Sequence, residues 1–273
     1  MNVFELNPEF IGQREAYIQV LQEKYSCGNL YLSYSSLSNF RKSPKHFIDY
    51  KLKIEEDTDA IITGKALHTL VLEPHKFTKE FATAPECNRR TKEGKAIWNA
   101  FLEESKGKTV LSNTNYQAAV QMAIAVLSND QARVLIEGAT HKEKRIDWEA
   151  YGFKFLSFLD GEGEGFVFDL KQMPDADPKK VQREILSRCL WLQGGMYLKA
   201  LNEDKDYFII AVDKKGNVSV HLIMPALLDY GKSELRRLCE NFEDCLSTNS
   251  WLKSYEYRSH NGIYPIDKPS FNI

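Results

Sequence analysis

The chain has no run of 18 apolar residues, which excludes a transmembrane helix. Its first residues, MNVFELNPEFIGQREAY, are charged and amphipathic and lack the apolar core of a secretory signal. Cysteine is scarce, with five residues at 27, 87, 189, 239 and 245. The count is odd and the spacing scattered, so a disulfide framework is excluded and reduced thiols in a cytoplasmic protein are expected. Only Cys239 and Cys245 lie near each other, too few to hold an iron–sulfur cluster. No sign of charge dominates: 36 Lys+Arg stand against 38 Asp+Glu, a net charge of −2. That excludes a polycationic nucleic-acid coat and an acidic disordered tail. Gly107-Lys108-Thr109 is not the end of a P-loop, because Leu102 stands where that motif needs glycine. GEGEG at 161–165 is followed by a strand pattern rather than a helix, which excludes a dinucleotide fingerprint.

What is present suffices for a sizeable core: 273 residues, 43% of them hydrophobic and 12% aromatic. With no internal repeat and no biased linker, the chain reads as one domain over 1–273. A mainly helical part spans 1–137, a strand-containing core 138–248 and a C-terminal extension 249–273. A short helix is expected to open at Ser36–Phe40 and end near Ser43-Pro44, and a second over 59–73 is stopped by Pro74. Thr91 is placed to cap a helix carrying Ile97, Trp98, Phe101 and Leu102, and one or two more helices fill 113–136. After Gly138 strands are expected over 141–149, 152–160 and 166–171, with GEGEG as the second turn. Asp177-Pro178 opens a helix running to about Leu201. Strands at 206–213 and 218–224 and a helix over 225–247 complete an α/β (α+β) chain with a mixed sheet.

The strand at 166–171 carries the chemistry. Side chains alternate along a strand, so Val167, Asp169 and Lys171 share one face. A hairpin through GEGEG would bring Asp160 beside Asp169. Two close carboxylates repel unless a cation lies between them, and a hard divalent ion such as Mg²⁺, or Mn²⁺ in its place, answers that need. Lys171 would then point at whatever the ion polarises. The alternative is a plain Asp–Lys ion pair on a half-solvated strand.

Asp160-x8-Asp169-Leu170-Lys171 resembles the paired-acid-and-lysine motif of the PD-(D/E)xK nuclease superfamily. The likeness is strongest to the RecE-like, exodeoxyribonuclease VIII-type exonucleases of phages and prophages. Four further segments resemble that family in order. They are Leu32–Phe40 with Ser43–Phe47, a serine-rich helix; Gly64–Pro74, a G-x-x-x-H helix; Arg89–Lys95, a basic segment; and Leu192–Tyr197, a Q-x-x-x-Y helix. The resemblance implies a restriction-endonuclease-like core: a mixed central sheet flanked by helices, with an N-terminal helical extension.

It also implies a metal-dependent exodeoxyribonuclease acting on linear double-stranded DNA in phage-type recombination. His68, Asp160 and Asp169, with the Leu170 carbonyl, would hold Mg²⁺, and Lys171, Gln193 and Glu143 would serve the reaction. Gln193 would orient a water or phosphate, with Tyr197 packing on it or touching DNA. Ser36, Arg89, Arg90 and Lys92 would meet the nucleic acid. Arg41, Lys42, Lys45, Lys51 and Lys53 form a second basic cluster. A single-strand annealing protein is the implied partner, a homo-oligomeric ring the implied assembly, and no membrane is involved. The sequence departs from the family before Asp160 (Leu156-Ser157-Phe158-Leu159), before Gln193 (Arg188-Cys189-Leu190-Trp191) and after Lys171 (Gln172). The alternative is therefore a catalytically weak or inactive relative that binds DNA or a recombination partner.

Overall fold

The computed structural model describes residues 8–52, 58–258 and 263–264. In chain order the helices and strands are α1 (Pro8–Ser26), β1 (Tyr31–Leu32), α2 (Tyr34–Phe40), α3 (Pro44–Leu52), α4 (Asp59–Leu72), α5 (Phe77–Glu80), β2 (Phe81–Thr83), α6 (Lys92–Glu104), β3 (Thr109–Leu111), α7 (Asn113–Ser128) and α8 (Asp130–Gly138). There follow β4 (Ala139–Ala150), β5 (Phe153–Gly163), β6 (Phe166–Gln172), α9 (Pro178–Ser187), α10 (Leu190–Leu201), β7 (Asp206–Val212), β8 (Val218–Ile223) and α11 (Pro225–Thr248). The described residues form two compact units, one within 1–54, 147–157 and 232–273, the other within 55–146 and 158–231. None of the described helices is long and apolar enough to cross a membrane.

The first unit is held by aromatic packing. Phe242, fully buried on α11, meets Phe40, Phe47, Phe153 and Trp251 at ring-centroid distances of 4.9–5.4 Å. α2 starts at a reciprocal capping box: Ser33 accepts from the Ser36 amide, and the Ser33 amide donates to Ser36 Oγ. β1 pairs in parallel with the start of β5 through Tyr31–Lys154 and Leu32–Phe155. Tyr151 and Gly152, both at positive φ, make the two-residue turn between β4 and β5.

The second unit is a mixed sheet between helices. β5 and β6 run antiparallel, β6 and β7 parallel, and β7 and β8 antiparallel, while β4 flanks β5. One face of the sheet presents Phe168, Leu170, Ile210 and Val212 to Leu67 and Val71 of α4, Met122 and Val126 of α7, and Ile136 of α8. The other face takes α10, where Gly194 comes so close that a Cβ would sit 2.6 Å from the Tyr207 ring. Thr58, Thr91, Ser112 and Asn129 cap α4, α6, α7 and α8 with their side-chain oxygens.

The structure corrects two expectations. GEGEG is not a turn throughout: Gly161, Glu162 and Gly163 belong to β5, and only Glu164-Gly165 turns. The glycines serve the Phe rings opposite them, since a Cβ on Gly161 would lie 2.1 Å from the Phe168 ring and one on Gly163 2.3 Å from the Phe166 ring. The helix from Asp177 also does not run to Leu201 unbroken. Cys189 adopts φ +58°, which ends α9 and restarts the chain as α10. Cys189 therefore does not continue the helical face of Gln193 and Tyr197. The two- and three-residue strands β1, β2 and β3 carry no sequence pattern long enough to reveal them.

Candidate metal centre

The hairpin of β5 and β6 positions the acids. Its ladder pairs Gly163 with Phe166, Glu162 with Val167 and Gly161 with Phe168. One step further, Asp160 Oδ2 accepts the Leu170 N–H at 2.6 Å, so a side chain takes a backbone donor where the paired ladder ends. Asp160 and Asp169 thus lie on adjacent strands at the end of the paired stretch. Leu170, whose carbonyl is an expected ligand, meets Asp160 through its amide.

His68 comes from the middle of α4. Leu67 and Val71 anchor that helix in the core beneath the sheet. His68 Nδ1 lies 3.5 Å from Asp160 Oδ1 and 3.7 Å from Glu143 Oε1. One ligand atom from each of His68, Glu143 and Asp160 falls within 4.8 Å of the others. Gly64, one turn before His68, lines a groove of about 660 Å³ with Lys65, Thr69, Lys79 and Thr109, into which His68 and Glu143 open. A Cβ at Gly64 would meet only Gln172 Oε1, at an ordinary 3.7 Å, so close approach does not require glycine there.

Asp169 stands on the adjoining strand β6. It is 1% exposed, and its carboxylate is engaged within the protein: Lys171 Nζ is 2.6 Å from Oδ2, and Gln193 Nε2 donates to Oδ1 at 2.8 Å. Glu143, not Asp169, completes the three-residue cluster. Gln193 is buried, and besides holding Asp169 its amide donates to the Tyr197 hydroxyl at 2.7 Å. Tyr197 is buried too and packs on Gln193.

The electrostatics follow from these contacts. Burial would strip His68 of its proton, but the Asp160 charge and hydrogen bonds to Asp160 and Glu143 outweigh it and raise the imidazole pKa to about 10. Burial pushes the Asp160 carboxyl up, yet His68, Lys171 and the Leu170 amide hold it below the usual range. Asp169 is pushed up to about 6, first by burial, with Lys171 pulling down and Asp160 pushing up. Lys171, despite burial, is held above its ordinary pKa by Asp169 and Asp160. At neutral pH a proton on His68 therefore stands between two carboxylates. One imidazole nitrogen and two carboxylate oxygens, gathered where positive charge is already favoured, fit a divalent cation.

Glu143 reaches the cluster through an unusual backbone. It sits in β4 at φ +49°, a left-handed conformation rare for a residue with a side chain. From Arg145 to Ala150 exposure alternates as a strand should, whereas Lys142, Glu143 and Lys144 are all half-buried. Lys144 Nζ lies 2.6 Å from Glu162, as Lys205 Nζ does at 2.7 Å. Neither this pairing nor the left-handed residue has a sequence signature, and the sequence expects Glu162 in a turn.

The remaining expected DNA contacts scatter. Ser36 is fully buried and its hydroxyl is used inside the α2 cap, so it has no free surface for a phosphate. Arg89, Arg90 and Lys92 are exposed at the start of α6, with the Arg89 guanidinium 3.3 Å over the Trp98 ring. In the other basic cluster Arg41 pairs with Glu234 and Lys45 with Asp49, while Lys53 lies outside the described residues.

No curated protein matches the chain. A crystal structure of a "putative exonuclease" from Eubacterium rectale is similar over 98% of this chain and 96% of that one, with a TM-score of 0.56 and 15% identity, a likeness of fold. Residues 33–258, which include every residue of the cluster and the Asp169–Lys171 pair, match the family described as a PDDEXK-like domain of unknown function. By that match the chain belongs to the PDDEXK-like family DUF3799.

Proposed function

We propose that this protein is a metal-dependent deoxyribonuclease, an exonuclease of RecE-like type that hydrolyses phosphodiester bonds at the ends of linear double-stranded DNA. One observation carries the reading. An imidazole from α4 stands 3.5 Å from Asp160, while a buried acid–lysine pair, Asp169 and Lys171, projects from the adjoining strand. An isolated structural Asp–Lys ion pair would not need the histidine or Glu143.

His68, Glu143 and Asp160 would hold Mg²⁺, with Asp169 alongside. The ion supplies charge relief on the phosphate and an activated water. Lys171 is kept fully charged by its two acidic neighbours and is placed to stabilise negative charge developing on the phosphate oxygens. Asp169, gripped by Gln193 and Lys171, fixes where that ammonium points. The groove at His68 and Glu143 offers the approach for a strand, with Lys65 and Lys79 along it.

The test is digestion of linear and closed circular duplex DNA, with Mg²⁺ and with EDTA. Mg²⁺-dependent loss of linear DNA only is expected. Lys171→Ala and Asp169→Asn should each lower the rate by about 10²–10³-fold, the usual cost of removing a charge-stabilising group. Full activity in EDTA, or in either variant, would overturn the reading.

A further inference from the structure

The cluster of Glu162, Lys144 and Lys205 has no part in the chemistry just described. Glu162 is 5% exposed, yet two ammonium groups meet its carboxylate, Lys144 at 2.6 Å on Oε2 and Lys205 at 2.7 Å on Oε1. One buried carboxylate balances one of them. Lys205 is nearly buried and also meets Glu203, at 2.8 Å. Lys144 has no second carboxylate among the ion pairs of the described residues, and its side chain keeps 32% of its surface in solvent.

Position makes this pairing relevant. Asp160 and Glu162 are two residues apart in β5 and so share one face of the strand. Glu143 and Lys144 are consecutive in β4 and in a regular strand would point to opposite faces. Instead Glu143 reaches His68, the partner of Asp160, and Lys144 reaches Glu162. The left-handed φ of +49° at Glu143 is the device that allows both, as an extra residue does at a β-bulge. Such strain persists where the surroundings hold it, commonly at functional positions. An acid on the metal cluster and a base one residue along, both delivered to the same strand face, match a phosphate's needs on either side of its cation.

We infer that Lys144, set in place by the left-handed backbone at Glu143 and by Glu162, is a phosphate-binding residue that holds the nucleic-acid backbone beside the metal cluster. This rests on the nuclease reading above. Glu162 acts as a positioning residue that keeps the ammonium at the site when no DNA is bound.

The experiment measures binding of a short linear DNA duplex in EDTA across a salt series, for wild type, Lys144→Met and Lys144→Arg. Loss of one phosphate contact should weaken Met binding by roughly 5–10-fold at low salt and make the salt slope shallower by about 0.9, with Arg restoring both. Should Met fail to fold, Lys144→Gln, which can still donate to Glu162, serves the same measurement. An unchanged slope in a folded variant that is only less heat-stable would overturn the inference and leave Lys144 an internal ion pair. In that case Mg²⁺-dependent cleavage by the wild type would leave the nuclease reading standing. A wild type that neither binds nor cuts DNA would end both.

Discussion

At the residue scale the centre is a problem of charge balance. Asp160 is buried, and burying a carboxylate is costly unless something positive meets it. Here the imidazolium of His68 does so, which predicts a definite pH dependence. The folded pKa of His68, about 10, lies above its ordinary 6.5, so the stabilisation it gives is complete below about pH 6.5 and is lost as pH rises toward 10. Urea unfolding in EDTA between pH 6 and 10 should show that decline, and His68→Asn should flatten it. A divalent ion must displace the same proton, so adding Mg²⁺ at pH 8 in weak buffer should release close to one proton per site. The types of these residues could be read from the sequence, because acids and a lysine in an apolar strand stand out. The grip of Gln193 and Lys171 on Asp169 could not, because it depends on where α10 and the sheet come to rest. The internal use of the Tyr197 and Ser36 hydroxyls is equally invisible in the sequence, because residue type does not say where a polar group will find its partner.

At the element scale the decisive piece is the β5–β6 hairpin. Its glycines look like turn residues in the sequence, but they are seats for aromatic rings across the ladder. Gly161→Ala tests this. Its Cβ would meet the Phe168 ring at 2.1 Å, and Phe168 is fully buried with no room to yield. A loss of about 1–3 kcal/mol is expected in urea unfolding, the usual cost of overpacking. Phe168→Leu should recover part of it, whereas a loss unaffected by that second change would point to backbone distortion instead. Helix starts were legible throughout α4, α6 and α9, because Thr58, Thr91 and Asp177 cap them locally. The break at Cys189 was not, since nothing in a run of helix-compatible residues signals a left-handed residue.

At the scale of the whole molecule, two compact units carry separate cores, and the proposed chemistry lies in one of them. Phe242 is the hub of the other, touching four aromatic rings. Phe242→Ala should cost about 3–5 kcal/mol, as large aromatic deletions do. Amide exchange should show protection falling first at 34–52 and 232–248 while β6 and β7 stay protected. Equal loss everywhere would mean that the two cores melt as one. The sequence showed the mixed α/β character well, because hydrophobic period and capping are local. The division into units was hidden, because each is assembled from separate stretches of chain.

The spacing of Asp160 and Asp169 is, finally, a matter of parity. The two-residue reversal at Glu164-Gly165 pairs Gly163 with Phe166, Glu162 with Val167 and Gly161 with Phe168, so residues an odd number of positions apart across it, as Asp160 and Asp169 are, fall on the same face of the hairpin. Adding or removing one residue between Phe168 and Asp169 would turn the second carboxylate, and the lysine after it, to the wrong side of the sheet. Changes in loop length at 164–165 escape that rule while the three paired steps survive. Variation among related chains should therefore collect at the tip of the hairpin and stay out of its arms.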